Sequence, residues 1–296
     1  MKILESKSIV KNFGKVRALD GVNLEIKKGE VYGFIGPNGA GKTTTIRILL
    51  GILKADEGSA SIFGMDVWSD AVEIHKKVAY VPGEVNLWPN LTGGEVIDLF
   101  TSLRGKINVE KRDDLIRRFN LDPTKKCRTY SKGNRQKVAL IAAFASDAEL
   151  FILDEPTSGL DPLMEQEFHK CIDEAKKAGK SILLSSHILS EVEKLCDKVS
   201  IIKDGKIIES GVLKEMKHLT VTNIYAETKS KVTGVNKLKG VHIFEAKDDG
   251  YSLQVDNEVL PDIIKKISDF DVIKIESYPP TLEELFMKHY ENVEVD

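Results

Sequence analysis

The chain has 296 residues, with 43 Lys plus Arg against 46 Asp plus Glu and a formal net charge of −3. That length accommodates one large domain and a small one, and 42% hydrophobic with 30% charged residues is the balance of a folded globular chain, which excludes wholesale disorder, collagen-like repeats and a coiled coil. The near-neutral charge speaks against a dedicated nucleic-acid binder, whose domain would be strongly basic. Cys127, Cys171 and Cys196 form no C-x-x-C pair, so neither a disulfide framework nor a zinc site is expected. The opening MKILESKSIVKNF lacks the apolar segment of a signal peptide, and the longest strongly apolar run, Val138 to Ala145, is far shorter than the roughly 18 residues of a membrane span.

In chain order, the first stretch reads as strands. Val22, Leu24 and Ile26 alternate with polar residues, Lys28-Gly29-Glu30 signals a turn, and Val31 to Ile35 is a continuous apolar strand. A glycine-rich turn and a helix from about Lys42 to Leu53 follow. Ser59 to Phe63 and Val78 to Val81 read as short strands, and Thr92 to about Ala145 as mainly helical. The pattern then returns to alternating elements: strand Leu150 to Leu153, helix Leu163 to Ala178, strand Ser181 to Ser185 and helix Ile188 to Cys196. Such alternation implies an α/β fold with a mostly parallel sheet covered on both faces.

The run Val199 to Glu209 is a hairpin turning at Asp204-Gly205. After Lys217 the texture changes to strands Asn223 to Glu227, Val241 to Ala246 and Tyr251 to Val255, a helix Leu260 to Ile267, a strand Val272 to Glu276 and a last helix Thr281 to Tyr290. The order βββαβα predicts a small α+β accessory domain over residues 218–296, behind a first domain over 1–217.

Two local patterns carry chemistry. Gly36-Pro37-Asn38-Gly39-Ala40-Gly41-Lys42-Thr43 matches G-x-x-x-x-G-K-[ST] between a predicted strand and a predicted helix. Glycines let backbone N–H groups turn onto phosphate oxygens, the helix N-terminus adds its dipole, Lys42 reaches the β- and γ-phosphates, and Thr43 can ligate Mg²⁺; Thr44 extends the phosphate-facing turn. Phe151-Ile-Leu-Asp154-Glu155 is an apolar strand ending in two carboxylates. On its own such an ending is either a solvated loop start or a pair delivered to the ligand edge of a parallel sheet; in the second reading Asp154 holds the metal shell and Glu155 polarises water.

Together with three further segments, these patterns make residues 1 to about 217 resemble the nucleotide-binding subunit of ATP-binding cassette (ABC) transporters, a P-loop NTPase fold with a mostly parallel sheet, an antiparallel β part and a helical subdomain. Tyr130-Ser131-Lys132-Gly133-Asn134-Arg135-Gln136 is similar to the family's signature L-S-G-G-Q, Ser158-Gly159-Leu160-Asp161 to its D-loop, and His187 to its switch histidine. The resemblance implies that Ser131, Lys132, Gly133 and Asn134 of one chain cap the γ-phosphate held by the P-loop of a second chain, head to tail, most simply in a homodimer. It implies catalytic roles for Lys42, Glu155 and His187, an adenine-stacking role for Phe13 as the alternative to a core position, and ATP with Mg²⁺ as ligands. Trp88 to Thr92 and the helical region after it are similar to the surface that receives a separate transmembrane permease. The ending Pro280-Thr-Leu-Glu-Glu-Leu-Phe286 is similar to exporter ATPases, which places the chain on the inner face of the membrane without nucleic acid.

The chain departs from the family at four positions. Gly83 stands where the family has a metal-contacting glutamine, with Glu84 beside it as the candidate substitute donor or as a solvent-facing neighbour. Lys132 and Asn134 replace a glycine and the glutamine of the signature, and Tyr130 replaces its leading Leu. Two other functions stay open on sequence: a soluble ABC ATPase acting on ribosomes or DNA, and a module that holds ATP as a regulatory ligand with little turnover. The C-terminal domain is read as modulating assembly, or as a stability appendage.

Overall fold

The computed structural model describes residues 1–105, 107–213, 215, 221–247 and 250–278. The chain divides into two compact units, Met1–Gly211 and Val212–Asp296. In the first, β1 (Lys2–Phe13), β2 (Val16–Lys27), β4 (Glu57–Ile62) and β5 (Met65–Asp66) form an antiparallel sheet in the order β2-β1-β4-β5. A second sheet runs β10-β9-β3-β8-β7-β6, from β3 (Val31–Ile35), β6 (Val78–Val81), β7 (Leu150–Asp154), β8 (Ser181–Ser186), β9 (Lys198–Lys203) and β10 (Lys206–Val212). The five strands from β9 to β6 are parallel. The predicted hairpin supplies β10 at the edge.

Residues on β7 are buried throughout, yet they still alternate. Phe151 and Leu153 enter one core and Leu150 and Ile152 the other, because successive side chains leave a strand on opposite faces. The first core contains Phe144, Phe168 and residues of α3 (Gly93–Ser102), α4 (Val109–Arg118), α5 (Lys132–Ala145) and α6 (Pro162–Lys177). The second joins the parallel sheet to α1 (Lys42–Leu49) and to the antiparallel sheet, through Phe34, Ile46, Leu19 and Leu4. Coverage on both faces is what the near-continuous apolar strands require.

The helix predicted over Lys42 to Leu53 stops at Leu49. Gly51 adopts φ +63°, and a Cβ there would stand 2.2 Å from the Val67 carbonyl oxygen, so the chain turns where only glycine fits. The sequence reading also lacked β5 and the short α2 (Ala71–His75). Both are too short to give a periodic signal.

The second unit contains β11 (Val221–Thr228), β12 (Val241–Lys247), β13 (Gly250–Asp256) and β14 (Val272–Tyr278), an antiparallel sheet in the order β12-β13-β11-β14. The helix Leu260–Ser268, labelled α8 after α7 (Leu189–Leu195) of the first unit, contributes Ile263 and Ile267 to a core with Ile224, Leu253 and Val255. The last predicted helix, Thr281 to Tyr290, and the ending Pro280 to Phe286 lie outside the described residues.

Helix α3 starts with a reciprocal cap. Thr92 Oγ1 accepts the Glu95 N–H at 3.1 Å, and Glu95 Oε2 accepts the Thr92 N–H at 2.6 Å. Removal of the hydroxyl in Thr92→Ala is expected to lower stability by about 1 kcal/mol, read as a shift of the urea midpoint at unchanged slope.

Candidate nucleotide site

The P-loop leaves β3 at its carboxyl end and enters α1. At Gly36 a Cβ would meet the Ile202 carbonyl oxygen at 2.3 Å, so this position accepts no side chain while β9 lies beside it. The loop is further tied down by the Gly205 N–H, which donates to Ala40 O at 3.0 Å from the turn of the β9–β10 hairpin. Gly39 and Gly41 have φ of +85° and +110°, which belongs to a loop whose amides curl inward. Pro37, Asn38, Gly39 and Ala40 form the arch, and Thr43 and Thr44 lie in the first turn of α1.

Lys42 is 5% exposed. Its Nζ donates to Gly36 O at 2.6 Å and Pro37 O at 3.2 Å and lies 3.4 Å from Glu155 Oε1. Asp154 ends β7 at 2% exposure, accepting from Thr43 Oγ1 at 2.8 Å and from Ser185 Oγ of β8 at 2.9 Å. Glu155 has a left-handed backbone, φ +49°, and its N–H donates to Ser185 O at 2.9 Å. A non-glycine residue in that region is held by its surroundings. Its carboxylate faces Lys42 on one side and His187 Nδ1, 3.0 Å away, on the other. Lys42, Thr43, Asp154, Glu155 and His187 thus meet at the carboxyl end of β3, β7 and β8, where parallel sheets bind ligands.

Buried Asp154 and the Thr43 hydroxyl offer hard oxygen donors at the end of a phosphate loop. This matches the habit of Mg²⁺ to take one or two protein oxygens together with substrate phosphates and water. Gly83 lies against this pair, its missing Cβ 3.3 Å from Asp154 O and 3.8 Å from Asp154 Cγ. Glu84 is exposed and makes no hydrogen bond or ion pair among the described residues. Phe13, at the end of β1, is 50% exposed, with Lys11 Nζ 5.8 Å from its ring centroid.

The signature residues form a second group. Ser131 caps α5, its Oγ accepting the Asn134 N–H at 3.2 Å. Lys132 Nζ donates to Ser158 Oγ at 2.8 Å, a Cβ on Gly133 would meet Gly159 O at 2.4 Å, and buried Gln136 donates to Pro156 O at 2.8 Å. Leu160 is half-buried against the first core, and Asp161 caps α6 by accepting from Leu163 N at 3.1 Å and Met164 N at 3.0 Å. The D-loop and signature of one chain are therefore in direct contact. No hydrogen bond or ion pair joins the signature to the P-loop among the described residues.

Three neighbours of the site were given no role from the sequence. Ser185 holds Asp154. Tyr80 of β6 has its phenol pushed up to about 12, mainly by burial and then by the Asp154 carboxylate. Gln136 ties α5 to the loop after Glu155. Hydroxyls in the otherwise apolar run Leu183-Leu184-Ser185-Ser186 were the one available signal, since polar groups on a buried strand need partners.

The sequence matches the ABC transporter family over residues 19–158 and the ATP-binding protein DrrA1-3-like C-terminal domain over 211–290. It is 34% identical over 291 residues to the ABC transporter ATP-binding protein YhaQ of Bacillus subtilis, covering 95% of this chain and 96% of that one. The bacitracin transport ATP-binding protein BcrA of Bacillus licheniformis is 32% identical, with 97% and 96% covered. The daunorubicin/doxorubicin resistance ATP-binding protein DrrA of Streptomyces peucetius is 33% identical over 228 residues, with 75% and 69% covered. Among solved structures, an ATP-binding subunit of an ABC transporter superposes with TM-score 0.68 at 32% identity, over 73% of this chain and 92% of that one. An ATP-binding cassette solved as a dimer after hydrolysis, with ADP and Pi, gives 0.65 at 25% identity, over 71% and 98%. A P-loop closed on a buried Asp-Glu strand end, within a chain matched along nearly its full length, makes this protein a member of the ABC transporter ATP-binding proteins, an ATPase that serves as the motor subunit of a transporter.

Proposed function

We propose that two copies of this chain pair head to tail around two ATP molecules and drive export through a separate transmembrane permease on the inner face of the membrane. The observation that carries the reading is the division of the chemistry into two groups. Lys42, Thr43, Asp154, Glu155 and His187 converge in one place, while Ser131 and Gly133 sit with the D-loop in another. A γ-phosphate on the P-loop then needs the signature helix N-terminus of a second copy, whose amides and Ser131 hydroxyl suit an anion. The names of BcrA and DrrA support drug or peptide-antibiotic export as the direction.

In this reading the P-loop amides receive the phosphates and Lys42 exchanges Gly36 O and Pro37 O for phosphate oxygens. Phe13 offers its exposed ring to adenine. Thr43 and Asp154 would hold Mg²⁺, which would neutralise phosphate charge when bound. Glu155 accepts a proton from the attacking water as its oxygen bonds to the γ-phosphorus and the bond from that phosphorus to the β–γ bridging oxygen breaks, leaving ADP and inorganic phosphate. His187, its Nδ1–H donating to Glu155, presents the other ring nitrogen to the phosphate side. Ser131, Lys132, Gly133 and Asn134 contact the partner's γ-phosphate. The C-terminal unit, which holds none of these groups, modulates assembly.

The permease seat is an apolar groove of about 550 Å³ lined by Tyr80, Val85, Leu87, Val96 and Phe100. At its rim stand exposed Ile52, Val72 and Leu103, and exposed Trp88 of the predicted coupling segment packs on Phe100 at 5.8 Å between ring centroids. An exposed apolar groove of this kind fits a short helix presented by a membrane partner. Among the described residues no helix is long and apolar enough to cross a membrane.

Glu155→Gln is expected to lower kcat by about a hundredfold or more while trapping an ATP-bound dimer; light scattering with saturating ATP that shows only monomer would remove the head-to-tail site. Leu103→Arg is expected to abolish co-purification with the permease and to leave ATP affinity within about twofold. Retained co-purification would move the seat elsewhere. Because Glu84 is exposed and unpaired, Glu84→Ala is expected to keep kcat within about twofold; a tenfold fall in steady-state turnover would instead bring its carboxylate into the metal shell.

A further inference from the structure

Glu191 belongs to none of the motifs, yet its side chain is buried at 6% exposure on α7, one turn beyond His187. Its Oε2 accepts from Ser186 Oγ at 2.9 Å, and the same hydroxyl oxygen accepts the Ile188 N–H at 2.9 Å. One carboxyl therefore fixes the residues on both sides of His187. Its Oε1 is buried with no hydrogen-bond partner among the described residues. No lysine or arginine pairs with it among those residues.

We propose that Glu191 is a positioning residue for His187, holding through Ser186 Oγ and the Ile188 N–H the turn that aims the imidazole at Glu155. The inference rests on the role given to His187 above. His187 is 49% exposed, so packing does little to orient its ring, and its contact with Glu155 depends on where the backbone of residues 186–188 sets it. Burial pushes the Glu191 carboxyl up, against the hydroxyls of Ser186 and Thr157; Glu165 acts with burial and His187 against it. A buried acid with only hydroxyl donors is better held neutral than charged, and a neutral acid still accepts from Ser186. Loss of the carboxyl would release Ser186 and spread the imidazole over several orientations. That reduces the fraction aligned for reaction and leaves phosphate binding at the P-loop untouched.

The test is steady-state ATPase of the full-length chain. Glu191→Ala is expected to lower kcat about tenfold or more with KM for ATP within about twofold. Glu191→Gln, whose amide oxygen still accepts from Ser186, is expected to keep about half or more of wild-type kcat, and Glu191→Ala combined with His187→Ala should be no slower than His187→Ala alone. Wild-type kcat in Glu191→Ala beside an impaired His187→Ala overturns the proposal, as does a double variant whose loss is the product of the two single losses. Unchanged kcat in His187→Ala would instead overturn the role of the histidine and this proposal with it. Should Glu191→Ala not fold, Ser186→Ala carries the same test: a fall in kcat at constant KM is expected, and wild-type kcat overturns the proposal.

Discussion

The buried carboxylate of Asp154 is the constraint around which the first unit is arranged. At 2% exposure it receives two hydroxyl donors, Thr43 and Ser185, while the neighbouring Lys42 ammonium is spent on backbone carbonyls and Glu155. A carboxylate so placed is costly unless hydrogen-bonded and paired. Each donor arrives from a different element: Thr43 from α1, Ser185 from the neighbouring parallel strand. The sheet order that sets β8 between β3 and β7 is thus also the order that brings P-loop, Asp154 and His187 to one edge. Rearranging the strands would strand the acid.

The same edge extends outward along two loops. From Glu155 the chain passes Pro156 and Thr157 to Ser158 and Gly159, which contact Gln136, Lys132 and Gly133 of the signature helix. From Ser185 it passes Ser186 and His187 to α7, where Glu191 closes the turn. Glu155 is therefore flanked on one side by the contact of D-loop and signature helix and on the other by the histidine turn. Movement of either loop changes the setting of Glu155, which already adopts an uncommon left-handed backbone.

What could be read from the sequence was whatever the chain encodes at short range. The P-loop motif is eight consecutive residues, the Asp154-Glu155 pair ends one strand, and the alternation of strands with helices states the parallel sheet. Longer-range facts were invisible. Nothing local says that β1 pairs with β4 after an excursion of more than forty residues, that Gly51 must turn against Val67, or that Gly83 lies against Asp154. Glu191 was hidden for another reason. On a short amphipathic helix an acid between Leu189 and Val192 reads as solvent-facing, and only the position of Ser186 shows why it is buried.

Lys132 shows how a departure from a family pattern can be absorbed by its surroundings. A glycine there would leave the first two positions of α5 without a side chain, whereas Lys132 extends to Ser158 Oγ across the place where Gly133 and Gly159 approach closely. The lysine adds a cation beside a helix N-terminus, which already favours anions. Because its ammonium is engaged by a hydroxyl and not by a carboxylate, the charge is not cancelled locally. The substitution therefore keeps a positive charge at the start of the signature helix while tying the signature to the D-loop.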